Sequence, residues 1–140
     1  MSILTTIDLT KAWRVEYFEH DPDLYEFASD PQPVADISAW SAERRFDDTW
    51  AALLSTTFFI QPVDACISYW LSFAHTCAEV ILYINDRRIG PFSGEVLVDV
   101  TDYVWLDDNV LQLRVDCGDC ASDGQFGEIS LLMTPCDEQP

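Results

Sequence analysis

The chain has 140 residues, of which 49% are hydrophobic and 13% aromatic, enough to bury the core of one domain over residues 1–140. Its 25 acidic and 7 basic residues give a net charge of -18, which excludes nucleic acids and anionic membrane surfaces as expected partners because both are negatively charged. It has no apolar run of membrane-spanning length and no secretory leader at its start, so we expect a cytoplasmic protein whose acidic residues mainly form a solvated surface.

The first strand is predicted over residues 7–18, IDLTKAWRVEYF, because Trp13, Val15 and Tyr17 alternate with polar residues. Residues 19–33 are rich in aspartate and contain three prolines. Each proline disfavours helix at the residue before it and lacks a backbone donor, so this stretch predicts a long surface loop.

Residues 37–54 allow two interpretations. Phe46, Trp50, Leu53 and Leu54 fall at helical spacing, which favours a short helix or turn packed on the sheet. Alternatively, the segment is irregular and leads into a strand at 55–60, STTFFI.

Three alternating runs follow between Cys66 and Cys117 and predict a sheet with one buried face. We expect turns at 75–76, at 85–87 and at 106–109. Thr101 is placed as the N-cap of a brief helical segment that ends near Trp105. After a loop, residues 127–135 predict the last strand. Many short strands with one or two short helical segments indicate an all-β sandwich or barrel, with a jelly roll as the natural topology.

The order of these features resembles the N-terminal sugar-binding domain of glycoside hydrolase family 2, a galactose-binding-like jelly-roll β-sandwich. The matching residues, in chain order, are Trp13, Phe59, Pro62, Leu71, Asn85, Ile89-Gly90, Asp99-Val100-Thr101 and Asn109. Two departures concern loops: Asp86 stands where the family has glycine after the turn asparagine, and the glycine-rich segment after Gly90 is reduced to PFSGE.

The resemblance implies a non-catalytic carbohydrate-binding or accessory module, because no segment could form the barrel that carries the catalytic carboxylates of those enzymes. Its expected partners are a carbohydrate or a glycoside hydrolase catalytic domain. The alternative is a structural or protein-interaction β-sandwich without a sugar site, since a fold does not fix a function.

The sequence offers no catalytic constellation of its own. Glycoside hydrolysis uses two carboxyl groups on opposite sides of a bond. The acidic pairs Asp47 with Asp48 and Asp107 with Asp108 are adjacent in sequence, so in a strand they point to opposite faces and in a turn to water. Neither histidine accompanies a Gly-x-Ser-x-Gly motif. We therefore expect no enzyme activity from this chain.

Five cysteines cannot all pair with one another, and with no leader sequence we expect reduced thiols. Cys117 and Cys120 have the spacing of half a zinc site, which Cys136, Cys77 or His75 would have to complete. The resemblance implies no cofactor, although it allows a structural calcium ion bound by oxygen ligands.

The candidate ligand-binding residues are of two kinds. Trp40 and Trp50 lie in the irregular segment and are freer to be exposed than Trp13 and Trp70, which lie in predicted strands, and an exposed ring can stack on a sugar. Asp86, Arg87 and Arg88 form a charged hairpin tip in a chain with few basic residues. Such a tip serves equally well as a solvated turn or as a docking contact.

Overall fold

The structure is a computed structural model that describes residues 3–19, 30–40, 50–116 and 126–136. Its strands are β1 (Thr5–Asp8), β2 (Lys11–Glu19), β3 (Gln32–Asp36), β4 (Trp50–Ile60), β5 (Ile67–Ile84), β6 (Arg87–Asp99), β7 (Asp107–Asp116) and β8 (Ile129–Pro135). The helix within these ranges is a single 3-10 turn, Ile37–Ala39. The all-β prediction is confirmed.

All strand pairs are antiparallel, and the sheet runs in the order β1-β8-β5-β7-β4-β2-β3, with β6 paired to β5 off that path. The sheet curls on itself as in a jelly-roll sandwich. Strand β5 joins its two parts, because its first half pairs with β8 and its second half with β7. Strand β6 follows β5 along both halves.

The core lies on the inner side of this curled sheet. Leu82, Leu113, Leu54 and Val15 are consecutive partners across β5, β7, β4 and β2, and each is at most 2% exposed. Because side chains alternate along a strand, the residues next to them in sequence point to the solvent side. We call that solvent side of β6, β5, β7, β4 and β2 the outer face.

The predicted turn at 75–76 is wrong, and so is the helical interpretation where it covers residues 50–54; residues 41–49 of that interpretation lie outside the described residues. Strand β5 continues through His75 and Thr76, where its pairing with β6 only shifts in register. Strand β4 begins at Trp50, so residues 50–54 are extended: Ala52 and Leu54 point inward and Leu53 outward, and the helical spacing was coincidental. Strand β6 is continuous through residues 90–94, where Gly90 and Gly94 adopt φ values of 101° and 77°.

Segments 8–10, 36–38 and 99–101 share the sequence Asp, apolar residue, Ser or Thr. In each, the Asp carboxylate accepts a hydrogen bond from the backbone N–H two residues later, and the central side chain is buried. The predicted helix from Thr101 is therefore a turn, and the aspartate of that segment is its cap. In the second segment, hydrogen bonds from Lys11, at 2.5 Å, and from the serine lower the pKa of Asp36 to about 2.

A disulfide corrects the expectation of reduced thiols. Cys66, just before β5, is bonded to Cys136, just after β8, and the Cα atoms are 5.3 Å apart. β5 and β8 are hydrogen-bonded to each other, so the disulfide crosslinks one end of this strand pair. Cys136 is therefore not available to complete a zinc site with Cys117 and Cys120, which lie outside the described residues.

Candidate functional site

The predicted site residues Asp86, Arg87 and Arg88 lie at the tip of the β5–β6 hairpin. Asn85 and Asp86 have φ values of 51° and 69°, and Ile84 pairs with Arg87. Two successive left-handed residues are typical of a type I′ turn, whose twist matches that of the strands it joins. Asp86 thus takes up a conformation that glycine adopts more easily, and it keeps the hairpin tip tight.

Arg87 contacts the loop beside the hairpin. Its Nη1 donates a hydrogen bond of 2.7 Å to the carbonyl oxygen of Asp102, and its guanidinium carbon lies 4.5 Å from the centre of the Tyr103 ring. Cation–π contact and hydrogen bond together hold the hairpin tip against residues 101–105. Arg87 therefore acts as a docking contact within the fold.

Two asparagines complete the attachment of the tip. The Asn85 side chain donates to Asn109 Oδ1 at 2.9 Å and to the Tyr103 carbonyl at 3.0 Å, while its Oδ1 accepts from the Val110 N–H. Asn109 is fully buried and bonds both backbone groups of Trp105. This network fixes residues 103–110 relative to the hairpin.

The tryptophans are placed differently from the prediction. Trp40 is only 7% exposed: its indole N–H donates to the Tyr17 hydroxyl and its ring stacks on Phe126, so it is part of the core. Trp50 is the first residue of β4, and its side chain lies outside what the structure describes. Among the tryptophans whose side chains the structure describes, the exposed one is Trp105, at 59%, which was predicted only as the end of a helical segment. Its position just before the predicted turn at 106–109 was the available signal, although β7 already begins at Asp107.

The outer face carries a row of polar and aromatic side chains that are partners from strand to strand. This cross-strand row consists of Arg88 in β6, Tyr83 in β5, Gln112 in β7, Ser55 in β4 and Arg14 in β2. Directly paired residues project from the same face of an antiparallel sheet. Both arginines are exposed, and the three residues between them are half-buried.

Two grooves lie side by side along this row. The first has a volume of about 610 Å³, and its lining includes Arg14, Ser55 and Val110. The second, of about 340 Å³, is lined by Leu53, Tyr83, Asp86, Gln112 and Arg114. Both draw residues from β4 and β7, so they form neighbouring depressions on one face. Of the predicted site residues, Asp86 borders a groove and Arg88 ends the row.

The outer face differs in charge from the chain as a whole. Arg14, Arg88 and Arg114 are three of the seven basic residues, and all occupy outer-face positions. Glu16 and Asp108 occupy the same face by register, and Asp86 borders its second groove. In the lining of the two grooves, Arg14 and Arg114 are matched by Glu16 and Asp86, although the chain carries -18 and the outer face has further carboxylates at Glu95 and Asp99 in β6.

The described residues include no group of three His, Cys, Asp or Glu side chains placed to hold a metal ion. Nor does any helix within these ranges have the length and apolar character needed to cross a membrane.

Comparisons with known proteins give similarity in structure. No family model matches the sequence, and no curated protein matches it. A β-glucuronidase from Ruminococcus gnavus superposes with a TM-score of 0.73 at 14% identity, over 97% of this chain and 30% of that enzyme. A glycosyl hydrolase family 2 member from Bacteroides cellulosilyticus superposes with 0.71 at 17% identity, over 94% of this chain and 21% of that one.

The chain has the fold of a domain found in family 2 glycoside hydrolases. A β-glycosidase from Bacteroides vulgatus agrees, with a TM-score of 0.68 at 17% identity over 92% of this chain. The fold expected from the sequence resemblance is therefore confirmed. The chain spans only 20% to 30% of the length of these glycosidases, which is consistent with a non-catalytic domain.

Proposed function

We propose that the protein is a non-catalytic carbohydrate-binding accessory module and that the two grooves of the outer face hold the sugar. The observation that carries the proposal is the cross-strand row, which contributes Arg14 and Ser55 to the first groove and Tyr83 and Gln112 to the second. It combines an aromatic ring with amide, hydroxyl and guanidinium groups. These are the groups that bind sugars, because apolar sugar faces pack on rings while hydroxyls exchange hydrogen bonds with polar side chains.

The location on a sheet supports this proposal. Tyr83, Gln112 and Ser55 lie on three paired strands, so their backbone positions are set by the ladder. Groups held on rigid elements lose little freedom on binding, which favours affinity for a flexible ligand such as an oligosaccharide.

The test is a titration by isothermal calorimetry with a panel of neutral and acidic oligosaccharides, preceded by a glycan array to choose them. We expect binding that Tyr83→Ala and Gln112→Ala each weaken by about tenfold. Leu97→Ser is the control, because Leu97 is exposed on the part of β6 that pairs with Ser72, away from the row. Absence of binding to every glycan, with the protein folded by circular dichroism, contradicts the proposal.

A second function, structural docking onto a glycoside hydrolase catalytic domain, is favoured by a different surface. Trp105 and Leu106 are adjacent and are 59% and 56% exposed, and the asparagine network holds the loop that carries them. Exposed apolar side chains on a rigid loop are suited to bury against a protein. For this function we expect no glycan binding. We expect the protein to co-sediment with a glycosidase catalytic domain from the same genome, and we expect Trp105→Ser to abolish that co-sedimentation.

A further inference from the structure

We infer that the ligand of the outer face is an anionic oligosaccharide that lies across the strands, with carboxylates at its two ends held by Arg88 and Arg14. The inference rests on the proposed function and adds to it the charge, the direction and the extent of the ligand.

The geometry of the sheet sets the extent. The cross-strand row crosses β6, β5, β7, β4 and β2, and neighbouring strands lie about 4.8 Å apart, so its two arginines are about 19 Å apart along the sheet. That distance suits a short oligosaccharide. The groups between the arginines are neutral, since Tyr83, Gln112 and Ser55 carry no charge at neutral pH.

The two arginines have no carboxylate partner within the protein. Among the residues that the structure describes, the side chains of Arg14 and Arg88 make no hydrogen bond or ion pair. By contrast, Lys11 is paired with Asp36, and Arg87 is engaged by the neighbouring loop. In a chain with 25 acidic residues, two exposed guanidinium groups remain open on one face. A guanidinium group binds a carboxylate through two parallel hydrogen bonds, which makes it selective for that group.

The net charge of the chain does not prevent this binding. At about 0.15 M salt the Debye length is about 8 Å, so carboxylates elsewhere on the surface are largely screened. The local composition of the two grooves then decides, and their lining has Arg14 and Arg114 against Glu16 and Asp86. The local sources of repulsion are Glu16, two residues from Arg14 on the same face, and Asp86, which borders the second groove two residues from Arg88.

The test compares two ligands with the same sugar backbone and different charge: an oligogalacturonate of four units and the same oligomer with its carboxyl groups methyl-esterified. In calorimetry at physiological salt we expect the acid to bind about tenfold tighter than the ester. Arg14→Gln and Arg88→Gln should each remove about tenfold of the affinity for the acid and leave that for the ester nearly unchanged. Glu16→Gln should tighten binding of the acid.

Three controls make the result specific. Leu97→Glu changes the net charge by the same amount as Arg→Gln but at an exposed position away from the row, so it should leave both affinities within twofold. Arg14→Lys and Arg88→Lys keep the charge and lose the paired hydrogen bonds, so they should give intermediate affinities. Circular dichroism verifies that each variant is folded.

Each contrary outcome overturns a defined statement. Equal affinity for acid and ester overturns the inference and leaves the carbohydrate-binding proposal standing. Binding of the acid that survives both arginine substitutions overturns the assignment to this row. Failure of the folded protein to bind either oligomer overturns the inference, and only failure across the whole glycan panel also overturns the proposed function.

Discussion

Replacing Asn109 by alanine tests how the loop at 103–110 is held. The Asn109 side chain is fully buried and makes four hydrogen bonds of 2.7 to 3.2 Å: it accepts from the Trp105 N–H and from Asn85, and donates to the carbonyls of Trp105 and Asp107. Each such bond contributes about 1 kcal/mol net. Water can reach the backbone of this exposed loop and replace part of the loss, so we expect a decrease of about 3 kcal/mol in the free energy of unfolding.

The measurement is equilibrium urea denaturation followed by tryptophan fluorescence, with the slope of the transition compared between variants. Asp108→Ala is the matched control, because Asp108 is the exposed neighbour of Asn109 in β7, and its loss should change stability by less than about 0.5 kcal/mol. In the double-mutant cycle with Asn85→Ala, the two losses should not add, since the side chains share a hydrogen bond. A cost for Asn109→Ala no larger than that of the control would refute the reasoning.

Three further predictions concern the rest of the fold. The bond between Cys66 and Cys136 closes a loop with a sequence separation of 70, for which chain entropy gives a stabilisation of about 4 kcal/mol. In urea denaturation the variant with both cysteines replaced by serine should lose that amount of unfolding free energy. Wild type reduced with dithiothreitol should have the same stability as this variant. The pKa of Asp36 is lowered from 3.8 to about 2, so its contacts stabilise the fold above about pH 4 and this stabilisation is lost as the pH falls through about 2. The melting temperature of wild type should therefore exceed that of Asp36→Asn above about pH 4, and the difference should shrink as the pH falls to about 2. Gly90→Ala should cost about 1–2 kcal/mol, because φ is 101° and the new methyl group would lie 2.7 Å from a phenyl ring, while Gly94→Ala, at φ 77° in open space, should cost less.

Alternation predicted the strands that have one buried face. Residues 80–84 and 111–115 are clear cases, since each strand has solvent on its outer side and core on its inner side. The start of β4 was missed because Leu53 is half-buried between the buried residues Ala52 and Leu54, so apolar residues follow one another and alternation is hidden. Leu53 and Leu54 then also fit a helical period with Phe46 and Trp50.

The number of cysteines did not predict which of them form a disulfide. An odd number excludes complete pairing but not one pair, and which residues meet depends on the order of strands. Cys66 and Cys136 are brought together because β5 and β8 are neighbours in the sheet, although they are far apart in the chain.

The candidate site was predictable only at one end. The hairpin tip is local, so Asp86 and Arg88 could be selected from a turn signal in the sequence. Arg14 lies in one row with Gln112 and Tyr83 only because the strands are ordered β5-β7-β4-β2. That order cannot be predicted from the spacing of residues within a short segment. Likewise, the burial of Trp40 depends on its contact with Phe126, a residue from the other end of the chain.

The residues that identify the fold and those that form the proposed site are almost separate sets. Asn85, Asn109 and the segment 99–101 hold turns and loops through hydrogen bonds inside the protein, so they serve any relative that has this fold. The residues of the cross-strand row point to solvent, and the core does not constrain them. Relatives can therefore keep the jelly roll and change or lose the ligand. For this reason the test of function lies in Arg14 and Arg88 rather than in the residues that carry the resemblance.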